Sequence, residues 1–320
     1  MRVLSFTTAF PNAARPQHGL FVLERLRHCA RHAALHVLAP RPFFPWPAMQ
    51  AVPREATQAG LPVSHPTFRY VPRFGKWADG ACLYASSLAT ARRLHRAAPF
   101  DLIDAHFAYP DGFAAVLLGR SLGLPVTITL RGTEPLVAAA GAWRRRAVGF
   151  ALGGATRIIA VSEPLADFAR ATLAERPGPA PPVRVIANGV DLGRFAPAPQ
   201  AEARRTLGLP EGRRLVVSVG HLSPRKGFQR VLRAMPALLG ATPDLMFAVV
   251  GGPGAEGNNA TELRRLAAEL SLTERVVFAG TQPPERVATW LHAADLFVLA
   301  SDYEGCPNVV WEAQACGLPV

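Results

Sequence analysis

Short apolar segments alternate with amphipathic, helix-like segments along almost the whole of this chain. Such alternation is typical of βαβ units, in which helices cover both faces of a parallel sheet. A chain of 320 residues is too long for one small core and suits two domains. Strands are predicted over 3–7, 35–39, 102–105, 126–130, 157–161, 183–186, 215–219, 245–250, 276–279 and 296–299, and helices over 22–33, 80–97, 114–122, 201–208, 228–239, 261–270 and 285–293. We therefore predict the α/β class, with doubly wound parallel sheets.

A proline-containing segment marks the predicted domain boundary. Pro197 and Pro199 favour an extended linker. We therefore predict a first domain over 1–190, a linker over 191–200 and a second domain over 201–320. Because strands and helices alternate on both sides of this linker, each domain is expected to have its own sheet and its own core.

Two carboxylates, Glu304 and Glu312, stand close together near the end of the chain. Gly305 and Pro307 oppose a continuous helix between them, so a helix that begins near Asn308 is favoured. The free backbone N–H groups at the start of such a helix bind anions. The arrangement suits a polyhydroxylated ligand that bears phosphate. An exposed loop acid followed by an ordinary helix-start Glu is the alternative.

A basic loop follows the predicted strand 215–219 and precedes the predicted helix 228–239. The loop contains Arg225 and Lys226, the latter being one of two lysines in the chain. In open α/β sheets, ligands bind at the carboxyl ends of the strands. A guanidinium beside an ammonium suits a diphosphate, whereas cations at a helix start oppose the helix dipole. A solvated Arg–Lys pair is the alternative.

Together these segments resemble those of family 4 (group 1) retaining glycosyltransferases of GT-B architecture. The spacing from Glu304 to Glu312 matches the Glu-x7-Glu motif of that family. The loop from Gly220 to Gly227 matches its Gly-Arg-x4-Lys-Gly segment, with His221 where Arg is usual. Further resemblances lie in 10–19, 158–162 and 188–195. The resemblance covers essentially the whole chain and implies two facing Rossmann-like domains, the first binding the acceptor and the second the nucleotide sugar.

The resemblance also implies roles for individual residues. Glu304 would bind the sugar hydroxyls and Lys226 the departing phosphate, while His106, after strand 102–105, would lie near the donor sugar and the reaction centre. A core or helix-capping His is the alternative for His106. The other implied contacts are Arg225, His221, Gly19, Gly252, Gln282, Asn308, Val309 and Glu312 on the donor side, and Arg131, Asn12 and His18 on the acceptor side. Ser162 is expected to be either a further strand-end residue or a helix N-cap before Pro164.

The implied reaction moves a sugar from a UDP- or GDP-sugar to a glycan or lipid-linked intermediate of envelope or exopolysaccharide synthesis, with retention of anomeric configuration. No Asp-x-Asp metal motif occurs in the sequence, so we expect no metal requirement and no covalently bound cofactor. The charge of an imidazole depends on pH, unlike that of Arg, so the contact expected from His221 is weaker. A non-catalytic nucleotide-sugar-binding or scaffold protein and a GT-B sugar-nucleotide epimerase are the alternatives.

Two features depart from simple expectations. Residues 252–257 satisfy G-x-G-x-x-G, but a dinucleotide fingerprint should open its helix directly, and here Asn258 and Asn259 intervene. Nicotinamide or flavin binding is therefore disfavoured. The sequence also ends at Val320, where the family resembled continues with further elements, so we expect a truncated second sheet. We expect this 320-residue chain by itself to be unstable or weakly active.

The first predicted domain carries the whole net charge of +12. Residues 1–190 contain 22 Arg or Lys and 10 Asp or Glu, whereas residues 191–320 contain 13 of each. The basic clusters 92–96 and 144–146 could meet an anionic membrane surface. The flanking aromatic residues that could enter the interface are Phe43, Phe44, Trp46, Trp77 and Trp143. A solvated arginine-rich face is the alternative; no nucleic-acid-binding module accompanies the charge, so no nucleic acid partner is expected.

Cysteine usage and hydropathy indicate a cytoplasmic protein, and the basic first domain favours a peripheral position at the inner face of the membrane. Four cysteines without metal-binding spacing or an export signal are typical of free thiols in a reducing compartment. The N-terminus, with polar residues after Arg2, is predicted to be a first strand and not a signal peptide. No apolar run in the sequence approaches the ~20 residues that span a bilayer.

Overall fold

The computed structural model describes residues 1–43, 51–70, 76–254 and 257–320. Contacts between Cα atoms divide the chain into two units, Met1–Asn188 and Gly189–Val320. Phe195, within the predicted linker, is buried in the core of the second unit. The segment 191–200 therefore packs as part of the second unit, because an aromatic side chain anchors it there.

One largely parallel sheet forms the centre of the first unit. The strands are β1 (Arg2–Phe6), β2 (Ala34–Leu38), β3 (Arg41–Pro42), β4 (Glu55–Gln58), β5 (Leu61–Ser64), β6 (Thr67–Phe68), β7 (Leu102–His106), β8 (Val126–Leu130), β9 (Arg157–Ala160) and β10 (Val183–Val185). The sheet order is β10-β9-β8-β7-β1-β2-β5-β4, and β4 pairs antiparallel with β5. Strands β3 and β6 form a separate parallel pair.

Helices connect the strands of this sheet. They are α1 (Leu20–Cys29), α2 (Asp79–Ala97), α3 (Phe113–Leu122), α4 (Glu134–Ala139), α5 (Ala142–Gly154) and α6 (Glu163–Ala174). A 3-10 turn covers Lys76–Ala78 and a π-helical turn covers Ala108–Gly112. Ser162 occupies the N-cap position of α6 with extended backbone, but its side chain makes no capping hydrogen bond.

The hairpin of β4 and β5 was not predicted from the sequence. Strand β4 reads Glu-Ala-Thr-Gln and lies at the sheet edge with its residues exposed or half-buried, so it has no apolar run to indicate a strand. Ala59 and Gly60 connect the two strands with positive φ values of 50° and 80°. Two positive φ values in a two-residue loop match the right-handed twist of the strands on either side. The turn geometry therefore compensates for the weak strand signal.

The second unit contains a smaller, wholly parallel sheet. Its strands are β11 (Leu215–Val219), β12 (Met246–Val250), β13 (Val276–Gly280) and β14 (Leu296–Phe297), in the order β13-β12-β11-β14. Its helices are α7 (Gln200–Leu207), α8 (Phe228–Ala241), α9 (Ala260–Glu269), α10 (Pro284–Ala293) and α11 (Asn308–Ala315), with 3-10 turns over Pro224–Lys226 and Thr273–Arg275.

Both faces of this second sheet are covered. Along β12, Ala248 and Val250 belong to one buried cluster, whereas Phe247 and Val249 belong to another. Successive side chains of a strand point to opposite faces, so a strand that is buried along its whole length needs helices on both sides. The predicted α/β class with parallel sheets is confirmed.

Backbones approach each other closely where the strands of the second sheet end. A Cβ atom on Gly251 would lie 1.8 Å from the carbonyl oxygen of Gly220, and one on Gly227 would lie 1.9 Å from that of Ala300. Gly227 also has a φ of 74°, which L residues rarely adopt. Glycine at these positions therefore lets the loops after β11, β12 and β14 touch through their main chains.

We predict that Gly227→Ala destabilises the second unit by about 3 kcal/mol, because it adds both a steric overlap and backbone strain. Gly240→Ala is the matched control, since Gly240 lies in α8 with nothing within 4 Å of an added Cβ. That control should stabilise the protein by about 0.5–1 kcal/mol. Denaturant unfolding measures both changes. Equal stability of Gly227→Ala and the wild type would contradict the proposed contact.

Candidate active site

The carboxyl ends of the second sheet collect most of the predicted donor-side residues. Strand β11 leads into the loop 220–227, β12 into 251–254 and β13 into 281–283, while β14 precedes the loop 298–307. All four strands are parallel, so these loops lie at one edge of the sheet. The structure thereby places His221, Arg225, Lys226, Gly252, Gln282, Glu304, Asn308, Val309 and Glu312 at that edge or directly after it.

An ion pair joins the basic loop to the first carboxylate. Lys226 Nζ lies 2.6 Å from Glu304 Oε1, and Arg225 Nη1 lies 3.7 Å from the same oxygen. The Arg225 guanidinium also donates a hydrogen bond to the carbonyl oxygen of Tyr303. The Lys226 and Glu304 side chains are 14% and 19% exposed, so solvent screens their interaction less than that of a surface pair. Two cations and a carboxylate are thus held together at the sheet edge.

Helix α11 begins at Asn308, as the sequence predicts. No side chain caps its N-terminus and no acidic residue lies in its first turn. Glu312 follows in the next turn. Burial raises the pKa of Glu312 to about 7, and the nearby Arg194 guanidinium lowers it only in part. Trp311 Nε1 donates to Cys306 Sγ at 3.3 Å, which ties the helix to the preceding loop.

The remaining donor-side residues are engaged mainly with their own loops. Gln282 Nε2 donates to the carbonyl oxygen of Ala279 at 2.6 Å. His221 is exposed, and its ring lies against Gly254, where an added Cβ would approach it to 2.6 Å. An added Cβ on Gly252 would lie 2.0 Å from Thr281 Oγ1, so this backbone also passes close to its neighbour.

The G-x-G-x-x-G segment does not open a helix. Gly254 and Gly257 exchange backbone hydrogen bonds of 3.0 and 3.1 Å. Helix α9 begins only at Ala260. Residues 255 and 256 lie outside the described residues. A dinucleotide fingerprint places its glycines at the helix start, so this geometry agrees with the disfavoured dinucleotide reading.

His106 is the last residue of β7 and is fully buried, with 0% exposure. Arg131 Nη2 lies 3.0 Å from His106 Nδ1. A guanidinium can only donate, so Nδ1 accepts this hydrogen bond and the neutral ring carries its proton on Nε2. That nitrogen lies 3.4 Å from Ser5 Oγ and 3.5 Å from Asp104 Oδ2. Burial, together with Arg131, lowers the pKa of His106 well below its usual value, so the ring is neutral.

Arg131 follows β8 and is held from several sides. Its Nη1 donates to Asn188 Oδ1 at 2.8 Å, and its guanidinium lies 5.5 Å from the ring centroid of Phe21. The backbone N–H groups of Arg131 and Gly132 donate to the buried Glu134 carboxylate at 3.0 and 2.8 Å. Burial raises the pKa of Glu134, and these hydrogen bonds oppose the increase. The turn is therefore organised by a buried carboxylate.

Asp111 and Glu134 were not among the predicted site residues. Asp111 is fully buried and accepts hydrogen bonds from the Thr8 amide at 2.8 Å, the Thr8 hydroxyl at 2.9 Å and the Thr7 hydroxyl at 3.4 Å. Burial raises its pKa to about 7 despite these bonds. Asp111 thereby fastens the loop after β1 to the turn after β7. In the sequence, Asp111 is only a polar residue between a predicted strand and a predicted helix. That position does not by itself indicate that the side chain is buried.

The three predicted residues of the loop after β1 shape that loop. Asn12 Oδ1 accepts from the backbone N–H groups of residues 14 and 15, both at 3.0 Å. His18 Nε2 lies 3.2 Å from the carbonyl oxygen of Thr8. Gly19 precedes α1 with a φ of 72°, and a Cβ there would lie 2.2 Å from the carbonyl oxygen of Ala9. The loop follows β1, which pairs parallel with β7, so it lies at the carboxyl edge that also bears His106.

Two units of this kind define the GT-B class of glycosyltransferases, and solved structures of that class have the same fold. Sucrose-phosphate synthase from Thermosynechococcus elongatus superposes with a TM-score of 0.76 at 22% identity, covering 100% of this chain and 80% of that chain. HepE from Anabaena, solved in complex with UDP and glucose, superposes with a TM-score of 0.72 at 22% identity, with the same coverage of both chains.

The chain belongs to glycosyltransferase family 4, also described as group 1, and it is a glycosyltransferase. Residues 21–194 match the family model for Glycosyltransferase Family 4, and residues 199–320 match that for Glycosyl transferases group 1. The putative teichuronic acid biosynthesis glycosyltransferase TuaC of Bacillus subtilis is 32% identical over 100% of this chain and 80% of its own length. D-inositol 3-phosphate glycosyltransferase 2 of Catenulispora acidiphila is 32% identical to this chain in the aligned region. That region covers 75% of this chain and 58% of the relative.

Among the helices of the described ranges, none combines the length and the apolar character needed to cross a bilayer. The cysteines Cys29, Cys82, Cys306 and Cys316 are free thiols. Of the aromatic residues that the sequence assigns to a membrane interface, Phe44 and Trp46 lie outside the described residues.

We predict that Glu312→Gln becomes increasingly stabilising as pH rises from about 5 to about 8. The native pKa is raised, so the ionisation of Glu312 costs stability between its unfolded value and about 7, and Gln avoids this cost. The measurement is the difference in melting temperature from wild type at each pH. Glu262→Gln, at an exposed position of α9, is the matched control. A difference that does not change with pH would contradict the buried, proton-retaining carboxylate.

Proposed function

We propose that this enzyme transfers a sugar from a nucleoside-diphosphate sugar to a glycan or lipid-linked intermediate of envelope or exopolysaccharide synthesis, with retention of configuration. The observation that carries the proposal is the contact of Lys226 and Arg225 with Glu304 beside the start of α11. The two cations can bind a diphosphate and the carboxylate can bind sugar hydroxyls. These groups lie next to each other at the carboxyl edge of a parallel sheet.

These groups suit the charge that develops during transfer. The bond from the sugar C1 to the diphosphate oxygen breaks, and Lys226, Arg225 and the first N–H groups of α11 stabilise the negative charge of the leaving group. Glu304 binds sugar hydroxyls and Glu312 binds the ribose hydroxyls. His221, Gly19, Gly252, Gln282, Asn308 and Val309 remain proposed contacts to the donor. Because the chain's own cations would neutralise the diphosphate, we expect no metal requirement.

The buried carboxylates of the first unit bear on the stereochemical outcome. Asp111 and Glu134 are enclosed and accept backbone hydrogen bonds, so neither presents an oxygen as a nucleophile of the retaining-glycosidase kind. The proposed step is direct transfer on the face of C1 from which the diphosphate leaves, in which the acceptor oxygen bonds to C1 and its proton passes to the leaving phosphate oxygen. His106, as a neutral imidazole held by Arg131, enters the proposal as a positioning residue and not as a proton carrier.

The acceptor is proposed from the relatives and from surface charge. TuaC, whose name refers to teichuronic acid biosynthesis, matches the whole of this chain, whereas the inositol 3-phosphate enzyme matches three quarters of it. A polymer or lipid-linked acceptor is therefore preferred over inositol phosphate. Arg131, Asn12 and His18 are proposed to face this acceptor. Enzymes that act on lipid-linked substrates work at a membrane surface, so we also propose a cytoplasmic protein bound at the inner face of the membrane.

An exposed surface of the first unit supports this membrane proposal. Trp77 is 71% exposed, and Tyr109 donates from its hydroxyl to the carbonyl oxygen of Lys76 at 2.7 Å. The Tyr109 and Trp143 ring centroids are 5.6 Å apart, and the Arg144 guanidinium lies 5.4 Å from the Trp143 ring. These five residues form one aromatic–basic surface, although they come from three parts of the sequence. Aromatic rings beside cations are typical of residues at a lipid interface.

We predict that one class of nucleotide sugar binds the purified protein and that Glu312→Ala weakens this binding at least about tenfold, because ribose hydroxyls lose their acceptor. Calorimetry against UDP-, GDP- and ADP-sugars measures the effect, with Glu262→Ala as control. HepE contains UDP, so UDP-glucose is the first ligand to test. Failure of all three donors to bind would contradict the proposal. Release of an epimerised sugar nucleotide without acceptor would indicate an epimerase instead.

We predict that the protein binds vesicles containing anionic lipid and that Trp77→Ala combined with Arg144→Gln weakens binding by about five- to tenfold. Co-sedimentation with vesicles of phosphatidylglycerol and phosphatidylcholine measures this effect. Ile186→Ala is the control, since Ile186 is an exposed apolar residue of the same unit outside the aromatic–basic surface. Equal binding of both variants, or equal binding to neutral vesicles, would contradict docking through this surface.

A further inference from the structure

A cleft lies among helices α4, α5 and α6 of the first unit. It has a volume of about 460 Å³, which falls within the range of small-ligand sites. Small residues form part of its lining, including Ala139, Ala142 and Gly149. None of the residues that line it belongs to the set predicted for the donor or the acceptor. The cleft is therefore a feature separate from the glycosyl-transfer residues described above.

Charged side chains surround this cleft. Arg145, Arg146, Arg176 and Glu175 contribute to its lining, and all four are exposed. In the part of the chain that the structure describes, none of these four side chains makes an ion pair or a hydrogen bond within the protein. Three cations and one carboxylate leave an excess of two positive charges. A phosphate monoester carries a charge of about −1.5 to −2 at neutral pH and would neutralise this excess.

Helix α5 places these cations where its own dipole disfavours them. Residues 144–146 are consecutive arginines near the helix start, and the first turn contains no acidic residue. The positive end of a helix dipole makes cations at this end of the helix unfavourable. A bound anion would relieve this repulsion, so the local electrostatics favour an occupied cleft.

The third arginine of the cleft, Arg176, lies beside helix α5. An added Cβ on Gly153 would lie 2.7 Å from Arg176 Nε, and one on Gly149 would lie 3.3 Å from Arg176 Nη1. The Arg176 side chain therefore lies along the glycine face of α5, next to the cleft. A larger side chain at Gly149 or Gly153 would have to displace it. A guanidinium recognises phosphate oxygens through paired N–H groups, so Arg176 beside the cleft can make directional contacts to a bound phosphate.

We propose that this cleft binds a phosphate monoester group, at a site distinct from the donor site. Arg145, Arg146 and Arg176 bind the phosphate oxygens, and Glu175 accepts hydrogen bonds from hydroxyl groups of the molecule that carries the phosphate. The same phosphate chemistry occurs in soluble sugar phosphates and in phospholipid headgroups, so the experiment separates these two sources.

The test is calorimetry of the full chain with glucose 1-phosphate, in a Lys226→Gln background that weakens phosphate binding at the donor site. We expect saturable binding that weakens with added salt, and at least about tenfold weaker binding for Arg145→Gln/Arg146→Gln. Arg157→Gln/Arg184→Gln is the matched control, because it removes the same charge from exposed positions of the same unit outside the cleft. Melting curves verify that each variant folds.

A steric variant distinguishes binding inside the cleft from general attraction of the phosphate to the positive charge. Ala142→Trp keeps every charge but fills the cleft, so it should abolish glucose 1-phosphate binding as well. Vesicles containing phosphatidic acid are the second probe. If the protein binds these vesicles but not glucose 1-phosphate, and if both Arg145→Gln/Arg146→Gln and Ala142→Trp abolish vesicle binding, the phosphate belongs to a lipid headgroup. The proposal is overturned if neither probe binds, or if the control variant weakens binding as much as Arg145→Gln/Arg146→Gln. Donor binding measured in the Lys226 wild type tests the transfer function separately.

Discussion

Main-chain contact between loops is the constraint on which the candidate donor site depends. Gly251 allows its loop to meet the carbonyl oxygen of Gly220, and Gly227 allows α8 to begin against the carbonyl oxygen of Ala300. These contacts join the loops that follow β11, β12 and β14. The Lys226–Glu304 pair follows from this geometry, because the two residues belong to loops that touch through their backbones.

In the first unit, buried carboxylates hold the loops at the sheet edge together. Asp111 joins the loop after β1 to the turn after β7, and Glu134 holds the turn that carries Arg131. Arg131 in turn determines which nitrogen of His106 carries the proton. Each of these carboxylates is costly to bury unless donors surround it, so the hydrogen bonds and the local backbone shape depend on each other. The result is a sheet edge whose polar groups are fixed before any ligand binds.

Much of the fold was predictable, because its signals are local. Strand β11 is an apolar run bounded by polar residues, and α11 begins where Pro307 ends the preceding loop. Strand β4 was missed because an edge strand of polar residues has no such run. The positions of Glu304 and Glu312 followed from spacing and resemblance, but their partners did not. Glu304 and Lys226 are 78 positions apart, and no local pattern relates them.

The sequence by itself determined the alternation of strands and helices, the places where most of them end and the residue types available at those ends. Only the tertiary structure decided which loops meet, that Glu312 is buried enough for its pKa to rise to about 7, and that His106 is enclosed as a neutral ring. The physical reason is range. Hydrophobic periodicity and turn chemistry act over neighbouring residues, whereas strand order and burial depend on contacts between residues that are distant in the chain.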